Sequence, residues 1–270
     1  MPSLTGYKAD LDYSYAPGIF PSMEALRHRP KQVRRLLVHS SAEDGKGMEK
    51  LLLLAEERGI RIETADRVLA RISGKENCYA AAVFSKFTDT LNPAAPHVLL
   101  HRPGDSGNVG TILRTALGFG VEDVAIIRPC VDLFDPRTVR ASMGSSVSLR
   151  VRVLDRMEEY LSLCGERKLY PFMLDASVPL EEALQEKRRE PWTLIFGNEG
   201  SGLPPEFACL GLPVRIPSND RIDSLNLAAA AAIGIYAFSA AENSKQEGSG
   251  SGKPNPEYPE KGGADSPCGC

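Results

Sequence analysis

The chain has 270 residues, of which 42% are hydrophobic and 25% charged, as in an ordinary globular protein of one large or two ordinary domains. Its formal net charge of -3 argues against a generally basic nucleic-acid-binding protein, although it is compatible with local basic patches. The N-terminus lacks the pattern of a signal peptide, and the longest apolar run, 225–238, is too short and alanine-rich to span a bilayer. We therefore expect a cytoplasmic protein with no membrane partner.

The cysteines show no spacing typical of a disulfide framework. Cys268 and Cys270 stand together at the end of the sequence, where two thiols are too few ligands for a good metal site. We predict no bound metal. The other four stand in otherwise apolar stretches, as buried free thiols do: Cys78, Cys130, Cys164 and Cys209.

Residues 1–90 show the pattern of a small α/β domain. Gly59 is a good stop signal for the second of its helices. The stretch 88–96 carries two prolines and no periodicity, so we place an interdomain linker at 91–96. The predicted helices of this first domain cover 23–27, 48–58 and 66–72, and its predicted strands cover 36–38, 60–63 and 79–84.

Residues 97–241 alternate between strand and helix patterns, which predicts a mostly parallel sheet with helices on both faces. One helix opens at Asp135-Pro136, where Asp can cap and Pro suits the first helical position. Beyond residue 242 the chain is rich in Gly, Ser, Pro, Lys and Glu, and we expect 242–270 to be disordered. The other predicted helices cover 109–117 and 224–240, and the strands cover 98–100, 124–127, 149–153, 170–174, 193–196 and 214–216.

Three glycine-rich segments follow predicted strands of the second domain, so we expect them at one edge of the sheet, where open α/β sheets bind ligands. They read DSGNVGTILR at 105–114, FGNEGSGL at 196–203 and IDSLNL at 222–227. The first segment lacks both the Gly-Lys-Ser/Thr of a Walker loop and the third glycine of a dinucleotide-binding turn. This disfavours a nucleotide-dependent oxidoreductase.

Polar residues in the three segments admit structural as well as functional interpretations. Arg114 follows Gly110 by one helical turn and could face the loop or simply lie on the surface. Glu199 is either a ligand contact or an acceptor within a turn, and we favour the ligand contact because a plain turn needs fewer glycines. Ser224 is a suitable N-cap for the last helix, whereas capping does not explain Asn226, which we expect in the first turn.

Together the three segments resemble the signature motifs of the SpoU (TrmH-like) branch of the SPOUT superfamily of RNA ribose 2′-O-methyltransferases. The resemblance covers roughly 98–241. It implies an α/β domain with a deep C-terminal trefoil knot, one of the rare exceptions to unknotted topology. It also implies S-adenosylmethionine as the cofactor, methyl transfer to a ribose 2′-hydroxyl, and a homodimer.

The resemblance further implies which residues form the site. Arg114 is the family's candidate for the group that helps the hydroxyl lose its proton. A guanidinium is a poor base, so an orienting and charge-stabilising role stands beside the role of base. The implied catalytic set is Asn108, Arg114, Glu199, Ser224 and Asn226. The implied cofactor-binding set is Phe196, Gly197, Asn198, Glu199, Gly200, Gly202, Ile216, Pro217, Ser224, Leu225, Asn226 and Leu227.

Two further stretches are candidates for contact with RNA. Segment 139–144 resembles a recurring family segment in which Arg140 and Ser142 face the site. A dense basic run at 27–35 is the other candidate, although a solvated helix end and turn would give the same pattern. The predicted RNA-binding residues of this run are Arg27, Arg29, Lys31, Arg34 and Arg35.

The N-terminal region, through 18–21 and 79–83, is similar to the small ribosomal-protein-like substrate domain that precedes the catalytic domain in several family members. Where those members carry a His/Gln/Gly-rich segment, this chain reads Lys75-Glu76-Asn77-Cys78. Members with such a domain usually act on large-subunit ribosomal RNA, whereas tRNA-directed members tend to use short helical extensions. The resemblance therefore favours ribosomal RNA. A tRNA methyltransferase and a catalytically silent RNA-binding protein are the alternatives.

Overall fold

The structure is a computed structural model that describes residues 4–42, 45–73, 78–186, 190–219 and 221–247. Its N-terminal part contains β1 (Tyr13–Pro17), α1 (Ile19–His28), β2 (Val33–Val38), α2 (Lys46–Glu57), β3 (Ile62–Thr64), α3 (Asp66–Ser73) and β4 (Ala80–Ser85). The strands form one sheet of order β1-β4-β2-β3, in which β4 pairs antiparallel with both neighbours and β2 pairs parallel with β3.

The C-terminal part is built on a five-stranded parallel sheet of order β7-β6-β5-β10-β8, and a small parallel pair of β9 and β11 lies beyond it. Its elements are β5 (His97–His101), α4 (Ser106–Gly118), β6 (Asp123–Ile127), α5 (Pro136–Ala141), α6 (Ser145–Ser148), β7 (Arg150–Leu154), α7 (Met157–Cys164), β8 (Lys168–Pro171), β9 (Val178–Pro179), α8 (Leu180–Ala183), β10 (Trp192–Phe196), a 3₁₀ helix (Pro205–Cys209), β11 (Val214–Arg215) and α9 (Leu227–Glu247).

The central strands of the larger sheet are buried on both faces. In β5, Val98 and Leu100 belong to one apolar cluster and Leu99 to another, because successive side chains of a strand point to opposite faces. Helices α4 and α9 cover the first face, and α7 with the 3₁₀ helix covers the second. This confirms the predicted mostly parallel sheet with helices on both faces.

Several predicted boundaries are wrong. Strand β1 was not predicted, because 13–17 contains a serine and ends at a proline and so lacks the usual strand pattern. The last helix begins at Leu227 rather than Ser224 and continues to Glu247, so 242–247 is helical where we expected disorder; 248–270 lies outside the described residues. Cys209 is exposed, unlike the buried thiol that we expected.

The N-terminal part packs directly on α5 and α6. Val139 and Val147 belong to the same apolar cluster as core residues of α1, β2 and β4. Gly144 has a φ of +87°, and a Cβ placed on it would lie 2.9 Å from the Cα of Pro21 in α1, so only glycine fits this crossing. The short helices α5 and α6 therefore lie between the N-terminal part and α4.

Arg29, which follows the last residue of α1, stabilises the contact between the N-terminal and C-terminal parts. Its guanidinium forms an ion pair with Asp89 at 2.8 Å. It also donates to the carbonyl oxygens of Val147 and Leu149, each at 2.9 Å. The predicted linker, 91–96, thus lies close to the ion pair of Arg29 and Asp89, which joins the N-terminal part to the residues just before the linker.

Candidate active site

The first two glycine-rich segments meet at the carboxyl ends of β5 and β10, and Glu199 joins them. Its Oε2 accepts a hydrogen bond from the backbone N–H of Gly104 at 2.9 Å. Its Oε1 accepts from the backbone N–H of Asp105 at 3.1 Å and from Asn108 Nδ2 at 3.2 Å. Asp105 in turn caps α4 by accepting from the backbone N–H of Asn108 at 2.7 Å.

Asn226 brings the third segment into the same group. Its Nδ2 donates to Asn108 Oδ1 at 3.0 Å. Its Oδ1 accepts from the backbone N–H groups of Ala228 at 2.9 Å and Ala229 at 3.2 Å, so it caps α9. The prediction that Ser224 caps this helix is wrong, because the backbone from 221 to 226 stays non-helical and the first free N–H groups belong to the helix that begins at Leu227. Glu199, Asn108 and Asn226 form one hydrogen-bonded chain, which we call the polar chain.

Burial raises the pKa of Glu199, but the hydrogen bonds from the backbone of Gly104 and Asp105 and from the Asn108 side chain outweigh it. The pKa of this carboxyl therefore lies below its ordinary value, and the group is ionised at neutral pH. An ionised carboxylate accepts hydrogen bonds and donates none. Because Glu199 fixes the Asn108 amide with Nδ2 towards itself, Oδ1 is left to accept from Asn226.

A cleft opens beside the polar chain and encloses about 860 Å³, counting the part open to solvent. Phe172 and Phe196 stack in its wall with ring centroids 4.6 Å apart. The hairpin 198–202 forms another wall and is closed by backbone hydrogen bonds between Asn198 and Gly202 of 3.1 and 2.9 Å. A Cβ on Gly197 would lie 2.2 Å from the carbonyl carbon of Gly202, so this approach requires glycine.

Most of the predicted cofactor-binding residues line this cleft, and Pro217 and Asn226 do not. The lining also includes residues that were not predicted. Three of them, residues 172–174, lie at the end of the predicted strand 170–174. Their position at the sheet edge where ligands were expected to bind is the signal that could have identified them. The predicted lining residues are Phe196, Gly197, Asn198, Glu199, Gly200, Gly202, Ile216, Ser224, Leu225 and Leu227. The additional ones are Phe172, Met173, Leu174, Ser201, Val214, Arg215, Ser218 and Ala230.

The structure does not bring Arg114 to the polar chain. It lies exposed on α4, does not line the cleft, and its guanidinium has no hydrogen bond or ion pair with any of the described residues. Gly110, one turn earlier, packs so closely on α5 that a Cβ there would lie 2.5 Å from the Cβ of Ala141. The position of α4 is thus set by its contact with α5.

The predicted RNA-binding residues divide into two groups. Arg27, Lys31 and Arg34 are exposed. Arg29 is held at the junction described above, and Arg35 is nearly buried in an ion pair with Glu63 at 3.0 Å. The basic run is therefore not one continuous strip facing solvent.

In the segment 139–144, Arg140 is half-buried near the end of α5. Ser142 is fully buried and its hydroxyl donates to the carbonyl of Val139 at 2.8 Å, so the expectation that it faces the site is wrong. Residues 75–77, where the sequence departs from the family pattern, lie outside the described residues.

Two family models match the chain. Residues 95–236 match the SpoU rRNA Methylase family, and residues 15–77 match the model named RNA 2′-O ribose methyltransferase substrate binding. The first match alone spans more than half of the chain. The chain belongs to the SpoU rRNA methylase family. This membership makes it an S-adenosylmethionine-dependent RNA ribose methyltransferase, which confirms the activity and the cofactor expected from the glycine-rich segments.

Similar proteins support the SpoU assignment. An uncharacterised tRNA/rRNA methyltransferase of Synechocystis is 33% identical over 194 residues, covering 64% of this chain and 69% of that protein. The 23S rRNA (guanosine(2553)-2′-O)-methyltransferase of Bacillus subtilis is 30% identical over 200 residues, covering 66% and 78%. The crystal structure of an AdoMet-bound rRNA methyltransferase from Sinorhizobium meliloti is 26% identical, with a TM-score of 0.69 and coverage of 84% and 87%.

None of the helices formed by the described residues is long and apolar enough to cross a membrane. The described residues also contain no group of three or more His, Cys, Asp or Glu side chains that could hold a metal ion.

Proposed function

We propose that this SpoU-family chain transfers a methyl group from S-adenosylmethionine to a ribose 2′-hydroxyl of large-subunit ribosomal RNA. The observation that carries the proposal is the polar chain of Glu199, Asn108 and Asn226 at the edge of a glycine-walled cleft. The Bacillus subtilis relative is named as acting on 23S rRNA, and so is a relative from Streptomyces laurentii that is 28% identical over 195 residues.

The cleft fits the cofactor chemically. Its stacked aromatic wall and the closely packed backbone of 197–202 offer apolar surface and N–H and C=O groups to a planar, partly polar ligand. Bound S-adenosylmethionine supplies a methyl group on a positively charged sulfur. We propose that 196–202, 216–217 and 224–227 hold it, as the family resemblance implies.

Glu199 acts in this proposal as a positioning residue. Four donors surround its ionised carboxylate, so it is not free to take a proton from the ribose. It fixes the Asn108 amide, which through Asn226 is tied to the end of α9. The two amides each keep an N–H that can meet the oxygen atoms of a ribose.

Arg114 supplies the positive charge in the proposed reaction. A guanidinium stays protonated under physiological conditions, so its suitable role is to orient the hydroxyl or a phosphate and to stabilise the negative charge that develops on the attacking oxygen. Because Arg114 lies outside the cleft of its own chain, the site as described is incomplete without a further movement or a second copy.

A homodimer would place a second chain beside Arg114. Phe119, at the end of α4, and Ile233 and Tyr236, on one face of α9, expose 44%, 40% and 58% of their surface. The rings of Phe119 and Tyr236 meet at 5.5 Å, so these residues form one apolar patch. Patches of this kind mark interaction sites. Sedimentation velocity on the purified chain should give a dimer, and a monomer at micromolar concentration would contradict this part of the proposal.

We also propose that the C-terminal segment forms the trefoil knot that the resemblance implies. The backbone N–H of Met173 donates to the carbonyl of Val214 at 2.9 Å, so β11 runs beside the chain that leaves β8. A Cβ on Gly211 would lie 2.1 Å from the carbonyl oxygen of Leu169, which indicates a very close crossing. These contacts support a threaded arrangement.

For RNA capture we propose Arg27, Lys31 and Arg34, which keep their exposed positions on the N-terminal part. Arg140 remains a candidate beside α4. Arg29 and Arg35 stabilise the fold through their ion pairs with Asp89 and Glu63, so we do not propose them as RNA contacts.

Methyl labelling of total RNA from cells that lack the protein tests the function. The purified chain should transfer label to one ribose in large-subunit ribosomal RNA, and mapping of the 2′-O-methylated nucleotide identifies the target. An Arg114→Ala variant is the matched inactive control. Labelling of tRNA instead would support the alternative substrate, and no labelling of any RNA would support a silent RNA-binding protein.

A further inference from the structure

A second cleft lies on the other side of the hairpin 198–202. The loops that follow β5 and β6, at 102–104 and 129–131, form most of its walls. Asn198 and Ser201 line both clefts, so this hairpin forms a wall between the second cleft and the proposed cofactor cleft.

Arg102 is the one charged residue that lines this second cleft within the described part of the chain. Its side chain is exposed, and no described residue forms a hydrogen bond or ion pair with its guanidinium. None of the described residues that line the cleft is acidic. The site therefore presents an uncompensated positive charge.

The backbone of Arg102 is held in place. Its φ is +55°, in the left-handed region that residues other than glycine rarely adopt. Its N–H donates to the carbonyl of Ile127 at 3.0 Å, and its carbonyl accepts from Asn198 Nδ2 at 2.8 Å. Arg102 therefore stands on a loop whose backbone is hydrogen-bonded both to β6 and to the hairpin.

This cleft borders the polar chain. Gly104, which lines the cleft, donates its backbone N–H to Glu199. The Glu199 carboxylate does not line the second cleft, and it accepts hydrogen bonds from two backbone N–H groups and from the side chains of Asn108 and Asn198. An anion bound beside Arg102 would therefore lie next to the site of the target ribose without facing an unpaired carboxylate.

We propose that the second cleft binds an RNA backbone phosphate that flanks the target ribose, with Arg102 as its counter-charge. This proposal rests on the proposed function. Phosphate contacts fix the register of a nucleic acid on a protein, and a guanidinium matches phosphate geometry with paired hydrogen bonds. Arg102 would thus decide which ribose of the strand reaches the polar chain.

The first test compares Arg102→Gln with Arg128→Gln, using an RNA fragment that the wild-type protein methylates. Arg128 is also exposed, but it does not line the cleft and already pairs with Asp155 at 2.9 Å. For Arg102→Gln we expect KM for RNA to rise about tenfold and the salt dependence of RNA binding to fall by about one phosphate contact. The affinity for S-adenosylmethionine should stay unchanged, and Arg128→Gln should change none of the three.

The second test removes the charge from the RNA instead. A methylphosphonate, which is uncharged, replaces the phosphate on either side of the target ribose. The wild-type protein should lose about tenfold in kcat/KM for one of the two RNAs, and Arg102→Gln should lose nothing further with that RNA. Equal losses in both proteins, or an unchanged KM and salt slope in Arg102→Gln, would overturn the assignment. Both outcomes require wild-type turnover, so they differ from failure of the proposed function, in which no RNA is methylated.

Discussion

Asn226 has two functions that substitutions can separate. Its Oδ1 caps α9, and its Nδ2 donates to Asn108 Oδ1 at 3.0 Å. Serine at this position can accept from the free backbone N–H groups of the helix but cannot reproduce the donation to Asn108, whereas alanine can do neither. We therefore compare Asn226→Ser with Asn226→Ala.

The expected sizes follow from these contacts. Loss of the cap in Asn226→Ala costs about 1 kcal/mol of the free energy of unfolding, which lowers Tm by about 2–4 °C in a chain of this length. Loss of a neutral hydrogen bond to Asn108 is worth about 1 kcal/mol, or roughly fivefold in kcat/KM if it orients the amide in the transition state. Asn226→Ser should show the activity loss with a Tm close to wild type.

Thermal unfolding and methyl transfer to RNA, measured on the same preparations, check both expectations. Full activity of Asn226→Ser would refute the orienting role of the polar chain. An unchanged Tm of Asn226→Ala would refute the capping role.

Two further predictions concern charged and titratable groups. Glu199→Gln places an NH₂ group against at least one of the four donors to this side chain, so we expect kcat/KM to fall at least tenfold and Tm to fall. The exposed Glu206→Gln should leave both unchanged. Burial lowers the pKa of His97 to about 4, so this histidine is neutral in the folded protein. The contribution of neutral His97 to the free energy of unfolding is complete above its unfolded pKa of about 6.5 and is lost as the pH falls. The loss reaches about 3 kcal/mol at pH 4. Urea unfolding of the wild type and His97→Gln between pH 7 and 4 measures this, and identical pH dependence in the two proteins would contradict it.

The sequence predicted the larger sheet well because its central strands are continuous apolar runs. Strands β5, β6 and β10 are buried along their whole length, and such runs bounded by loop residues leave little ambiguity. The glycine-rich segments could be located because some of their glycines are required by the fold, since a side chain on Gly110 or Gly197 would collide with backbone.

Contacts between distant parts of the chain could not be predicted. Arg29 was interpreted as an RNA contact, but its partner Asp89 lies 60 residues away and no local pattern connects them. The start of α9 was misplaced because Ser224 and Asn226 both have side chains that suit an N-cap. In the structure Asn226 Oδ1 accepts from the backbone N–H groups of Ala228 and Ala229, so the helix begins after Asn226. Arg102 belongs to no sequence motif, and its candidate role follows from its place in the lining of the second cleft.

The position of α5 and α6 between the N-terminal part and α4 bears on which nucleotide the proposed reaction would reach. Because Gly144 packs on α1 and Gly110 of α4 packs on α5, the helix that carries Asn108 is fixed, through two close crossings, relative to the N-terminal part. If the exposed Arg27, Lys31 and Arg34 bind RNA as proposed, this arrangement predicts methylation of the nucleotide at one set distance from the bound RNA segment. A substrate with one nucleotide more or fewer in between should then present a different ribose.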